Sequence, residues 1–388
     1  MVIQTYNIPL LMDYTNAAHW YNILVCAKDA YNACTKLLHN NNTPLSLKKV
    51  HEVCYNKIRT EFPLLSSQMA IKCEQAAASA IKSQKTNKHK NADIPQRKTL
   101  TMTLDKRLYG LITCEGITLT SAQKNKRSFI PFNAYPKAME MLKSYKACDP
   151  TIFYRNGQFF LSIPFEVPEK PIQSDKCIGV DLGSRMLFVT SEGKAFKDTA
   201  YLKKRREIRY LKRKLQSKGT KSAKRHLKKM RNKERNLSKD MCYRATKALI
   251  NSTNASIIVL EDLTKIKKNT SRTSEGYKRV KHNNALSQVP FYEFNRIMEY
   301  KAPVAGKQVA TVSPMYTSQM DCRTSARDGK RNGRRYVCSD GIVFDSDWNA
   351  SINIGQRSNH LVSSKLPIEG KLILLTSREQ STSQSSQL

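Results

Sequence analysis

The chain runs to 388 residues and carries 67 Lys and Arg against 31 Asp and Glu, a formal net charge of +36. Such an excess repels itself in a compact state unless a polyanion neutralises it, which makes nucleic acid the default partner and an anionic membrane surface the alternative. No apolar run approaches the roughly 18 residues of a spanning segment, so a membrane partner is not expected. The opening Met1-Val-Ile-Gln-Thr5 lacks a basic-then-apolar signal pattern, and the ten cysteines fall in no framework, a pattern of reduced thiols in a cytoplasmic protein.

The length leaves room for two or three domains with real cores. Residues 1–10 alternate apolar and polar through Val2, Gln4 and Tyr6 and predict an isolated strand. A helical block follows. Asn16 is placed as the cap of a helix bearing Trp20, Ile23, Leu24, Ala27, Tyr31, Cys34 and Leu38 at spacings of three and four. Ser46 starts a second helix with Val50, Val53, Cys54 and Ile58 on one face, and Ser66 a third through Met69, Cys73, Ala76, Ala77 and Ala80. These stripes read as core packing and carry no chemistry. The basic run from Lys82 to Lys90 closes the block as a solvated loop or a phosphate contact.

From Leu100 the texture changes to short strands at 100–104, 108–113 and 117–120, and Thr151–Tyr154, Arg155-Asn-Gly157 and Gln158–Ile163 predict a hairpin. A small β-barrel or sandwich fits this region. With the strand at the N-terminus as a member, the helical block becomes an insertion into it. Val167-Pro-Glu-Lys-Pro171 reads as a linker.

Beyond the linker, Lys176-Cys-Ile-Gly-Val-Asp181-Leu places a carboxylate near the end of an apolar strand, with Met186–Thr190 as the returning strand. An Asp in such a setting is costly to bury unless something pairs with it, and a divalent cation is a fitting partner. Alone, an Asp at a strand end is more often a turn or cap residue. Two further acids arrive in similar settings: Ser256-Ile-Ile-Val-Leu-Glu261 is a second apolar strand ending in an acid, and Asp347 opens an amphipathic helix with Ala350 and Ile354 on one face. The bland readings are a simple N-cap for Asp347 and an exposed strand end for Glu261. Together, three carboxylates can cage two hard cations about 4 Å apart, the arrangement that hydrolyses a phosphodiester.

Between the first two acids lies the most charged stretch. From Lys203 to Lys247 there are twenty Lys and Arg against three acids, with Leu202, Ile208, Leu211 and Leu215 as an apolar stripe and a break at Gly219. A surface helix normally carries compensating Glu, which is scarce here. A cationic helical hairpin lying along a nucleic-acid backbone fits better, with Lys203, Lys204, Arg205, Arg206, Lys212, Arg213, Lys224, Arg225, Lys228 and Lys229 as phosphate contacts. Residues 264–290 read as a mobile loop, Phe291–Tyr300 as a helix, Lys307–Ser313 as a strand, and the Ser- and Gln-rich tail from Gln356 as disordered.

The segments around Asp181 and Glu261, then Tyr300-Lys-Ala302, Gly306-Lys307, Thr317-Ser-Gln319 and Asp345-Ser-Asp347-Trp-Asn-Ala-Ser, resemble in order the TnpB proteins of IS200/IS605-type transposons, compact relatives of the type V CRISPR (Cas12) nucleases. The likeness is strong over about residues 150–355. It implies an α+β multidomain chain. A wedge-type β-barrel (residues 1–10 and 94–170) would carry an inserted helical recognition domain (11–93). An RNase H-like RuvC nuclease domain (171–355) would follow, interrupted by basic helices at about 199–250. It also implies a guide RNA, transposon-derived or CRISPR RNA, directing cleavage of double-stranded DNA beside a short flanking motif. By matching motif positions, Asp181, Glu261 and Asp347 become the catalytic acids, binding Mg²⁺ in a two-metal site, with Asp345 a neighbour.

One departure stands out. The family carries a zinc ribbon of two Cys-x-x-Cys pairs, but the interval at about 317–341 holds only Cys322 and Cys338, with Asp321, Thr324, Ser339 and Asp340 nearby. Structural zinc takes four Cys or His ligands, so either a metal-free hairpin or a looser loop is expected there, with the placement of Asp347 weakened by the loss. The competing functional readings are a compact CRISPR effector, a guided DNA-binding regulator that does not cut, and an RNA-independent transposase.

Overall fold

The computed structural model describes residues 1–388 other than 42, 88–92, 122–125, 184–185, 264–289, 359–360, 363–372 and 376–388. The expected loop at 264–290 lies outside the described residues except for Pro290. Of the tail expected to be disordered, residues 356–358, 361–362 and 373–375 are described, and the expectation fails for the last two segments, which are strands that pair with the sheet of the second unit. The chain divides into two compact units, Met1–Val167 and Pro168–Leu388, and the fold is α+β.

In the first unit, β1 (Val2–Pro9) pairs antiparallel with β8 (Gln158–Val167), which also pairs with β7 (Thr151–Arg155) and β6 (Lys146–Ala147); β2 (Leu100–Thr103) extends the sheet beyond β7. The hairpin signal is realised: Asn156 and Gly157 take φ of +53° and +84° in the two-residue turn between β7 and β8. A separate three-stranded sheet holds β3 (Tyr109–Ile112), β4 (Gly116–Thr120) and β5 (Arg127–Pro131). Only an isolated bridge, Leu10 to Phe132, is recorded between the two sets of strands, so no closed barrel forms among the described residues. The strands of the expected barrel exist, but among the described residues their hydrogen-bonded pairing does not close into a ring.

The helical block is α1 (Tyr14–Asn40), α2 (Leu47–Glu61) and α3 (Ser67–Thr86), with the predicted stripes of Trp20, Ile23, Leu24, Cys34, Cys54, Ile58 and Cys73 buried. Two local expectations change. Asp13, not Asn16, caps α1, accepting from the Asn16 backbone N–H at 2.8 Å, and α3 continues through Lys82–Thr86, where a loop was expected. A further helix, α4 (Pro136–Ser144), starts with Pro at its first turn.

The second unit is built on a seven-stranded mixed sheet. Its order is β13 (Gln308–Val312), β12 (Ile257–Glu261), β9 (Lys176–Leu182), β10 (Phe188–Thr190), β11 (Lys194–Phe196) and β18 (Ile373–Leu375), with β17 (Leu361–Val362) pairing the start of β9. The strands β9, β10 and β11 form an antiparallel meander, and β12 and β13 run parallel to β9. Between β11 and β12 the chain leaves the sheet as α5 (Thr199–Lys218) and α6 (Lys221–Ser252), turning at Gly219, which takes the left-handed conformation that favours glycine, φ +63°.

Strand alternation decides what each sheet face does. Ile178, Val180 and Leu182 of β9 with Ile258 and Leu260 of β12 pack into one apolar cluster with the C-terminal part of α6 and α7 (Phe291–Val304). Cys177 and Ile257 with Val259 point the other way, onto Ile354 of α8 (Ser346–Gln356). Asp181 and Glu261 are in phase with this second set. The sheet thus delivers both acids to the face that α8 covers.

Candidate acid-centred site

Gly179 sets how close α8 comes. A Cβ at this position would fall inside van der Waals contact of the Ser351 carbonyl oxygen and Gly355 N, and 2.9 Å from Gly355 Cα. The helix backbone therefore rests directly on β9, two residues before Asp181. Parallel pairing of β12 with β9 matches Leu260 to Val180, and one step further brings Glu261 level with Asp181. Asp345 caps α8, accepting from the backbone N–H groups of Asp347 and Trp348 at 3.0 and 3.2 Å. That assigns the capping role to Asp345 and frees the Asp347 carboxylate.

Buried amides staple the helix in place. Asn349 accepts from Cys322 N–H at 3.0 Å and donates to the Met320 carbonyl at 2.7 Å, while Asn353 Nδ2 donates to the Thr317 and Met320 carbonyls at 2.9 and 2.7 Å. Trp348 Nε1 donates to the Ser191 carbonyl at 3.1 Å. The same loop supplies Thr317, whose hydroxyl donates to Glu261 Oε1 at 2.5 Å.

The electrostatics show Asp181 responding to the other two acids. Burial, then the charges of Glu261 and Asp347, push the Asp181 carboxyl well above the usual carboxylate range, and Arg331 pulls it back. Burial also raises Glu261, opposed by the Thr317 hydrogen bond and the Arg357 charge. Asp347 is held by Arg331 at 3.0 Å, and Arg334 pairs with Asp345 at 3.1 Å. Both arginines sit on the hairpin of β14 (Lys330–Asn332) and β15 (Arg335–Val337), which with β16 (Val343–Asp345) forms a small sheet. Among the described residues no three His, Cys, Asp or Glu side chains are gathered tightly enough to hold a metal ion. The donor set nonetheless suits magnesium in kind, being all carboxylate oxygen, and the burial of Asp181 beside the charges of Glu261 and Asp347 is a cost that a cation would relieve.

Cys322 and Cys338 are buried, and burial first, with neighbouring negative groups, raises their thiols to about 12 and about 11. Beside them Arg323 bridges Asp321 and Asp340, with contacts of 2.7 and 2.8 Å. The ribbon segment is thus tied together by an ion network.

Of the ten predicted phosphate contacts, Lys203, Lys204, Arg206, Arg213, Lys224, Arg225, Lys228 and Lys229 are exposed. Two are engaged internally: Lys212 pairs with Glu234 across the hairpin at 2.5 Å, and Arg205 lies over the Tyr201 ring. Lys204 also pairs with Glu207 at the surface. Leu211, expected in the apolar stripe, is 46% exposed, whereas Ile208 is buried.

The chain has counterparts among known proteins, by sequence over part of its length and by fold over most of it. Residues 291–354, which include the third acid and both ribbon cysteines, match the family Cas12f1-like, TNB domain. Over 255 residues the chain is 26% identical to InsQ of Escherichia coli (strain K12), named as an RNA-guided DNA endonuclease. That alignment covers 60% of this chain and 62% of InsQ, so the chain spans less than two thirds of that relative. Among solved structures, Cas12f1 in its sgRNA–target DNA complex matches over 88% of this chain and 83% of its own, with TM-score 0.62 and 14% identity. The mini RNA-guided endonuclease CRISPR-Cas phi3 matches over 91% and 92%, with TM-score 0.50 and 11% identity. At these identities the structural matches establish likeness of fold. The resemblance to TnpB-type proteins and their Cas12 relatives is borne out.

Proposed function

We propose that the chain is an RNA-guided DNA endonuclease whose second unit is an RNase H-like RuvC domain. The observation carrying this reading is the convergence of Asp181, Glu261 and Asp347: two strands in register and one helix seated on Gly179 bring three acids to one sheet face. The antiparallel meander followed by parallel β12 and β13 is the strand pattern such a domain uses. InsQ and the two structural counterparts supply the guided-endonuclease reading, which for this chain is a proposal.

In this reading Asp181, Glu261 and Asp347 hold magnesium, which when bound supplies an activated water and charge stabilisation at the leaving oxygen. Thr317 fixes the Glu261 carboxylate by donating to one oxygen, with no side-chain partner on the other among the described residues. Arg331 balances the acids until substrate arrives. The exposed lysines and arginines of α5 and α6 grip phosphates without reading sequence, which base pairing with the guide supplies. A flanking motif on the target would be read by the protein.

The test is to sequence the RNA that co-purifies with the protein, then offer a duplex matching its guide segment. Guide-dependent double-strand cutting, absent with a scrambled target, is expected. Cutting that ignores the RNA, or no bound RNA, would overturn the guided reading.

A further inference from the structure

The first unit holds an open pocket of about 300 Å³ that the nuclease reading does not use. It lies between the chain entering α1 and the β7–β8 hairpin, and its walls include Met12, Tyr14, Tyr21, Tyr154, Gln158 and Phe159. The platform beneath is held by backbone pairing and ring contacts. Leu10 N–H donates to the Phe159 carbonyl at 3.0 Å, Tyr21 and Tyr154 meet edge to face at 5.2 Å between ring centres, and Tyr154 packs on Phe159 at 4.8 Å. Yet the pocket keeps aromatic surface in solvent: Tyr14 is 89% exposed and Tyr21 42%.

Three further features narrow the occupant. No Asp or Glu lines the pocket. Arg155, the last residue of β7 and the cross-strand partner of the lining residue Gln158, is exposed and forms no ion pair among the described residues. The surrounding unit is cationic, with twenty-two Lys and Arg against eleven Asp and Glu in residues 1–167. The hydroxyls of Tyr14, Tyr21 and Tyr154 and the amide of Gln158 make no side-chain hydrogen bonds among the described residues, leaving donors and acceptors for a planar polar ligand. Aromatic faces, free polar edges and a flanking guanidinium make up the chemistry that binds an unpaired base: stacking for the ring, hydrogen bonds for its edge, a cation for the phosphate.

We propose that this pocket receives one unpaired nucleobase of a bound RNA, stacked against Tyr14 and Tyr21, with Arg155 on the adjoining phosphate. RNA is preferred to DNA because the free tyrosine hydroxyls and Gln158 can also meet a ribose 2′-hydroxyl. The inference rests on the reading that the chain binds RNA.

The test uses the full chain and the RNA with which it co-purifies, measured by filter binding over a range of salt. Tyr14→Ala and Tyr21→Leu should each weaken RNA binding about 5- to 100-fold, the loss of one stacked base. The slope of log affinity against log salt should stay as in the parent, because no phosphate contact is removed. Tyr14→Phe, which keeps the stacking face and loses only the hydroxyl, should weaken binding less than Tyr14→Ala does. RNA carrying 5-iodouridine at successive unpaired positions should crosslink at one of them to residues 10–21 or 154–159. Tyr14→Ala binding RNA as tightly as the parent, with no crosslink in those segments, overturns the pocket while leaving the RNA-guided reading intact. A parent that binds no RNA overturns that reading, and the pocket with it. Equal losses on single-stranded DNA of the same sequence would overturn the assignment to RNA.

Discussion

Gly179→Ala is the most direct test of how the acids are brought together. The added methyl would meet the carbonyl of Ser351 and the amide of Gly355, both backbone atoms of α8 that no rotamer change can move. The Gly355 Cα alone, at 2.9 Å, must retreat by about 0.6–1 Å to reach ordinary carbon–carbon contact. The Ser351 oxygen asks for more. Overpacking of this kind costs about 1–3 kcal/mol, or roughly 2–10 °C in the melting temperature of a unit this size. The displaced helix carries Asp347 with it, and misplacing a reacting group by about 1 Å can cost a hundredfold in rate. RNA binding should be unchanged, because the basic surfaces of α5 and α6 lie on other elements. The assay pairs a thermal melt with single-turnover cleavage of a guided duplex and an RNA gel shift. A variant that melts and cuts like the parent would refute the seating of α8 on β9.

Asp181→Ala or Glu261→Ala should abolish cutting while guided target binding survives, as a gel shift and a cleavage assay on one substrate will show; residual cutting within about tenfold of the parent would remove the catalytic assignment. Replacing Arg213, Lys224, Arg225 and Lys228 together with Gln should weaken binding to all sequences alike and lower the salt slope by up to about 3–4, and an unchanged slope would return the hairpin to a solvated surface. Burial opposes ionisation of Asp321, but its bonds to Arg323 prevail and hold the carboxyl at about 2, below its usual value, so its contribution to stability is present above pH 4 and lost as pH falls through about 2. Asp321→Asn should therefore melt below the parent at pH 7, by on the order of 2 kcal/mol, with the gap closing toward pH 2. Protein purified without chelator should hold far less than one zinc per chain by elemental analysis, and Cys322→Ser and Cys338→Ser should change cutting little; stoichiometric zinc lost in both variants would show that the ribbon binds metal after all.

The acids could be picked out in the sequence because burying a carboxylate beside apolar residues is costly, and Asp181 and Glu261 each close an apolar run. Turns were equally legible where geometry demands particular residues, as at Asn156-Gly157 and Gly219. Long-range pairing was not. Lys212 reads as one cation among many until Glu234 arrives from the neighbouring helix, and Arg331 gives no local sign that it will bind Asp347. The front strands were visible individually, but whether they close into a ring depends on edge pairing, which has no local signature.

Gly179 is the instructive case, because a signal was present. Glycine inside a buried strand weakens it and commonly marks the close approach of another backbone. Here it falls in an otherwise apolar run, two residues before the acid, and so in phase with it on the same face. Whatever presses on Gly179 must also approach Asp181. The element that does so, α8, begins with the third acid and carries Asn349 and Asn353, whose amides fasten it to the loop that holds Glu261 through Thr317. One missing side chain, two amides and one hydroxyl therefore couple all three carboxylates, and a change at any of them should disturb the site without removing an acid.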